Sequence, residues 1–220
     1  MKLFLKILTV LIITSSIYSC KKEETFNGVS LKTLNNGVTT CEYAPFTLGS
    51  TFTYEAGSSG NTTEVIWEAG DPETINDKTF IKVNNFYGTE ENPSFFNCED
   101  GEYNLIIQNV AGIDGNLDLI YLKENVPVNT TWQDTVYQVN SGTTTLNTYK
   151  WTYIEQKDNH IVKDNTYNDV ININLVFTVE FDGFSILTDE TDYYWAKGIG
   201  LIEASGNSIN YKLISHNIEE

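Results

Sequence analysis

Asp169-Val170-Ile171-Asn172-Ile173-Asn174-Leu175 decides the fold. Ile171, Ile173 and Leu175 alternate with Asn172 and Asn174, and Thr178-Val179-Glu180-Phe181 carries the pattern on. Period-two alternation gives a strand with one buried and one wet face, as in antiparallel sheets. Thr51-Phe52-Thr53-Tyr54-Glu55 repeats the pattern near the other end of the chain. Turn dipeptides punctuate the β-branched and aromatic runs: Gly57-Ser58-Ser59-Gly60, Asp100-Gly101, Asp114-Gly115, Ser141-Gly142 and Asp182-Gly183. Such punctuation predicts hairpins. The expected fold is all-β, an antiparallel sandwich or half-barrel of about 11–13 strands.

Internal similarity predicts two weakly repeated halves, 41–123 and 124–220. Glu68, Asp71, Ile75, Asp77, Thr79, Phe80 and Val83 match Glu155, Asp158, Val162, Asp164, Thr166, Tyr167 and Val170 at a constant offset. The Asp-x-Thr-aromatic element reads as a turn entering a strand, where Asp and Thr satisfy backbone donors.

The 220 residues are ample for one domain with a core. They include 13 Lys, no Arg and 30 acids, for a net charge of −17. No nucleic-acid partner is expected, because phosphate binding needs clustered cations.

Residues 1–19 read as a cleaved signal helix. Lys2 and Lys6 precede an apolar run too short for a comfortable span. Ile17-Tyr18-Ser19-Cys20 resembles the lipobox of bacterial lipoprotein precursors. The resemblance implies cleavage between Ser19 and Cys20 and lipidation of Cys20, which would then hold the protein on the membrane. Loss of the signal leaves 11 Lys against 30 acids, a charge of −19 that anionic headgroups repel. Residues 20–40 form the expected lipidated tether, with a coil span of roughly 25 Å, and 41–220 the β domain. Lys21-Lys22-Glu23-Glu24 resembles a surface-export signal of some Gram-negative lipoproteins. The expected location is the outer membrane, with the cell surface favoured over the periplasmic leaflet. Cys41 and Cys98 then lie in an oxidising compartment, where a disulfide between them is expected.

Tyr193-Tyr194-Trp195-Ala196-Lys197-Gly198-Ile199-Gly200-Leu201-Ile202 resembles a C-terminal segment of uncharacterised bacterial lipoproteins, the TapB-like group among them. Pro45-Phe46-Thr47-Leu48-Gly49-Ser50-Thr51-Phe52-Thr53-Tyr54 resembles the opening segment of the same domains. The resemblance implies an antiparallel β domain and supplies no catalytic residue. In its own right, 193–202 predicts a bend between two strands, with Tyr193, Trp195, Ile199 and Leu201 buried and Lys197 exposed.

No catalytic residue, cofactor or metal site is predicted. Hydrolase-elbow, phosphate-loop and zinc motifs are absent. His160 reads as a turn residue, and Asp114–Asp118 lacks the later ligands of a calcium loop. Trp67, Trp132, Trp151 and Trp195 are the ligand-binding candidates. The primary reading is a lipid-anchored, non-enzymatic binding or scaffolding domain of the envelope, with an envelope protein or glycan as partner. A carrier of hydrophobic ligand or lipid would need a dry cavity of several hundred Å³, and a surface glycan-binding module would need exposed aromatic rings.

Overall fold

The computed structural model describes residues 25–26, 29–30, 41–58, 61–87 and 90–219. The expected signal segment, the Ser19–Cys20 cleavage site and most of the tether lie outside the described residues. Two dipeptide strands, β1 (Thr25–Phe26) and β2 (Val29–Ser30), pair with each other. All other strands belong to one antiparallel sheet of twelve. They are β3 (Thr51–Ser58), β4 (Asn61–Ile75), β5 (Lys78–Tyr87), β6 (Glu90–Glu99), β7 (Glu102–Ile107) and β8 (Leu117–Lys123), then β9 (Thr131–Asn140), β10 (Thr143–Val162), β11 (Asn165–Phe181), β12 (Phe184–Ala196), β13 (Gly200–Gly206) and β14 (Asn210–Asn217). The all-β expectation holds. The sheet curls further than a half-barrel, into a nearly closed barrel.

The order is β8-β7-β6-β5-β4-β3-β14-β13-β12-β11-β10-β9. Two six-strand meanders, β3–β8 and β9–β14, therefore meet at the β3–β14 pair. The segments related by the sequence offset are the β4–β5 and β10–β11 hairpins, the second and third strands of each meander. Asn76-Asp77 and Lys163-Asp164 make their turns. The turn signals at Asp100-Gly101, Asp114-Gly115, Ser141-Gly142 and Asp182-Gly183 fall between consecutive strands, and Gly57-Ser58 ends β3.

The two free edges, β8 and β9, face each other across a seam. Side chains replace the missing backbone ladder there. Asp134 Oδ2 accepts from Ile120 N–H at 3.1 Å, and Trp132 Nε1 donates to Ile120 O at 2.6 Å. Farther along β9, Val139 N–H donates to Gly112 O at 2.6 Å, and Gln138 Nε2 donates to Ala111 O at 2.7 Å. Gly112 has φ +81°, and a Cβ there would lie 2.5 Å from Val139 O. Only glycine allows this approach. With its edges engaged, the sheet offers little template for a foreign strand.

Residues 41–50 cross one end of the barrel as a plug. Cys41 is disulfide-bonded to Cys98 on β6, with Cα atoms 5.7 Å apart. Gly198 N–H donates to Glu42 O at 2.7 Å, and Phe46 packs edge-on against Phe52, 5.6 Å between centroids.

The β10–β11 hairpin lies back on the wall. His160 stacks on Tyr194 at 4.1 Å and shares a 2.7 Å hydrogen bond with Glu203. Lys163 pairs with Glu55 at 2.9 Å. His160 is thus a strand residue held by two contacts, not a turn residue. The turn falls at Lys163-Asp164 because β10 runs on to Val162.

Candidate functional site

Directly paired residues of an antiparallel ladder point to the same face. Trp67 pairs with Phe52, Trp195 with Leu201 and Ile171, and Tyr193 with Ile173. These aromatics converge inside the barrel. Among them lies a cavity of about 170 Å³, lined by Trp67, Phe96, Tyr121, Trp151, Tyr193 and Trp195 with Leu105, Leu201, Ile209 and Tyr211. The wall draws on both meanders, so the cavity is the lumen of the barrel.

The rings pack against one another in two groups, Trp67–Phe96–Tyr121–Trp195 and Trp151–Tyr193. Tyr121 lies 4.9 Å from Trp195, Trp151 lies 5.8 Å from Tyr193, and Phe96 lies 5.7 Å from Tyr121. Tilted and edge-on contacts of this kind suit the ring quadrupoles. The indole N–H groups of Trp67, Trp151 and Trp195 and the Tyr121 hydroxyl are buried with no hydrogen-bond partner among the described residues. Each stranded group costs about 1–3 kcal/mol. Burial alone lifts the Tyr121 phenol far above its ordinary pKa, so it stays protonated.

The structure brings three of the four tryptophan candidates together. Trp132 sits apart at the seam, its indole N–H committed to Ile120 O and its face near Lys123, 5.8 Å from the centroid. Trp151 and Trp195 are buried, Trp67 and Trp132 half-buried. They do not form the exposed strip that surface glycan stacking requires. Tyr121, Phe96 and Tyr211 were missed as wall residues. Tyr121 lies in Leu119-Ile120-Tyr121-Leu122, an apolar run whose inward face cannot be assigned without the pairing register.

A second, polar pocket of about 180 Å³ lies at the plugged end, among Glu42, Tyr43, Glu124, Tyr153, Gln156 and Lys197. Glu124 is buried there. Burial raises its pKa, and hydrogen bonds from Cys41 N–H and the Tyr103 hydroxyl oppose that rise. Tyr103 Oη also accepts from Tyr43 N–H at 2.9 Å. Lys197 is an exposed turn residue, as expected, but its charge is paired. It pairs with Glu42 at 2.8 Å, and that bond holds it protonated above the usual lysine range. Both Glu124 oxygens are occupied and the Lys197 charge is matched, so this cluster fastens the plug and leaves the lumen as the candidate binding site. No group of acids, His or Cys that could hold a metal occurs among the described residues.

No protein-family model matches the chain, and no curated protein matches it. The fold is similar to that in a crystal structure of a candidate lipoprotein from Parabacteroides distasonis ATCC 8503, with TM-score 0.57 and 13% identity over 81% of this chain and 99% of that one. An exported protein with a YmcC-like fold from Bacteroides fragilis NCTC 9343 aligns at TM-score 0.46 and 7% identity, over 80% of this chain and 98% of that one. At 13% identity, what this chain has in common with the Parabacteroides protein is the all-β architecture over nearly its whole length.

Proposed function

We propose that this chain is a lipid-anchored, non-enzymatic binding domain of the bacterial cell envelope, whose barrel lumen holds an apolar group. One observation carries the reading: a carbon-walled cavity of about 170 Å³ ringed by three indoles and a phenol. A dry, apolar cavity of about 150 Å³ in another protein binds benzene or xenon. The lumen is below the several hundred Å³ expected of a carrier that swallows a whole lipid. The fitting ligand is therefore one ring, or the end of a chain. The lipobox-like Ile17–Cys20 supports the anchor, and the outer membrane is the proposed site.

The lumen is tested by ¹⁹F NMR titration of fluorobenzene. Saturable binding is expected, and Leu201→Trp, which fills the cavity, should abolish it while the barrel still folds. Equal binding by both proteins would sink the reading. The anchor is tested by fatty-acid labelling of cells expressing Cys20→Ala. Labelling should vanish, and its persistence would refute lipidation.

A further inference from the structure

The lumen does not end at its aromatic ring. Strands β11 and β12 outrun their neighbour: β12 pairs with β13 only from Thr191 onward, so 184–190 project past it. Together with β9 and β10 they form an overhanging panel. Its lumen-facing residues follow from the register. Beyond Trp151 and Leu175 come Tyr149 and Phe177, whose rings are 4.9 Å apart. Next come Val179 and Leu187, then Phe181 opposite Phe184. On β10–β12 this file is apolar except for Thr145, Asn147, Asp189 and Thr191, and β9 adds Asp134, Val136 and Gln138 to the same face. From Leu175 to Phe181 it runs about 20 Å at the usual strand rise. Exposure grows along it: Leu175 is 8% exposed, Leu187 50% and Phe184 73%. The overhang lies at the end opposite the plug, because β12 begins at Phe184 and reaches the plug contacts only after Ala196.

Charge narrows the occupant. Asp189 stands on the same face as Phe177, and Glu180 and Asp182 lie at the tip. Residues 134–149 and 177–189, the parts of β9–β12 beyond the lumen, contain no Lys, and Lys150, opposite Val176, lies on the other face from Tyr149. An anionic head group is repelled there and a cationic one attracted.

We infer that the binding site continues from the lumen along this track, and that its ligand is a single-chain amphiphile with a cationic head. The chain end enters the aromatic cavity, the stem lies on Tyr149, Phe177, Val179 and Leu187, and the head stays at the acidic tip. This inference rests on the lumen being the binding site, and names the class of its ligand.

The test measures displacement of fluorobenzene by butyl-, octyl- and dodecyltrimethylammonium below their micelle concentrations. Each methylene laid on the track should raise affinity about two- to fourfold. Octanoate should bind about tenfold more weakly than octyltrimethylammonium. The double variant Phe184→Ser, Leu187→Asp changes only exposed side chains, and its fold is checked by circular dichroism. It should flatten the chain-length series while fluorobenzene affinity stays unchanged. A flat series in the wild type, an unaltered series in the variant or a preference for octanoate would overturn the track while leaving the lumen reading intact. Failure of fluorobenzene to bind at all would remove both.

Discussion

Tyr121 and Tyr103 offer the same substitution with opposite expected signs. Their rings lie 6.0 Å apart in one core, and both are buried. The Tyr103 hydroxyl accepts from Tyr43 N–H at 2.9 Å and donates to Glu124 Oε2 at 3.0 Å. Tyr103→Phe therefore strands a backbone donor and removes one of the bonds to a buried carboxylate. A bond to a charged group is worth about 1.5–3 kcal/mol, and a stranded donor costs about 1–3 kcal/mol. The expected loss is about 3 kcal/mol, allowing for overlap between the two. The Tyr121 hydroxyl has no hydrogen-bond partner among the described residues. Tyr121→Phe removes a desolvated polar atom and keeps the ring that packs against Phe96 and Trp195. The expected gain is about 1 kcal/mol. Urea denaturation followed by tryptophan fluorescence reads both, as shifts of the midpoint at constant slope. A loss of 1 kcal/mol or more for Tyr121→Phe would refute the reasoning. It would mean that the hydroxyl is satisfied, by water or by a resident ligand, and that the ligand-free lumen is not dry.

Further expectations concern the plug, the seam and the repeat. The disulfide spans 57 residues, so Cys41→Ser with Cys98→Ser should lower stability by about 4 kcal/mol in the chain-entropy model, read by denaturation of oxidised and mutant protein. Glu124 has a raised pKa in the folded protein and an ordinary one when unfolded. The folded state therefore holds the extra proton between the two values. Its contribution to stability is present below the ordinary carboxylate pKa and is lost as pH rises through the raised one. Glu124→Gln should remove that part of the pH slope in denaturation curves, and an unchanged slope would exclude Glu124 as its source. Gly112→Ala forces a Cβ against Val139 O at positive φ and should cost about 1–3 kcal/mol, with faster amide exchange at Val139 as the local sign. Halves 41–123 and 124–220 should superpose strand for strand, β3 on β9 through β8 on β14. An unrelated register at the two offset-matched hairpins would end the duplication reading.

The strands were legible because alternation and turn chemistry are local. Ile171–Leu175 and Asp182-Gly183 announce a strand and its turn without reference to any partner. The turns at Asn76-Asp77 and Lys163-Asp164 lack glycine, and were visible only through the Asp-x-Thr-aromatic repeat. Closure of the sheet was not legible. It depends on Trp132 and Asp134 reaching Ile120 across the seam, contacts between residues 12 and 14 apart that no propensity encodes. The lumen was half legible. Tryptophan abundance marked Trp67, Trp151 and Trp195 as candidates, but which face each occupies depends on the pairing register and on bulges such as that at Tyr153/Glu155, which resets the alternation of β10. The exposed turn at Lys197 was legible, but its ion pair was not, because Glu42 is 155 residues away in sequence.

The most direct measurement is a crystal structure of the ligand-free barrel under xenon pressure. Xenon density among Trp67, Tyr121, Trp151 and Trp195, with no ordered water beside it, is the expected result. Ordered waters bridging the three indole nitrogens and the Tyr121 hydroxyl, with no xenon bound, would contradict an apolar binding lumen.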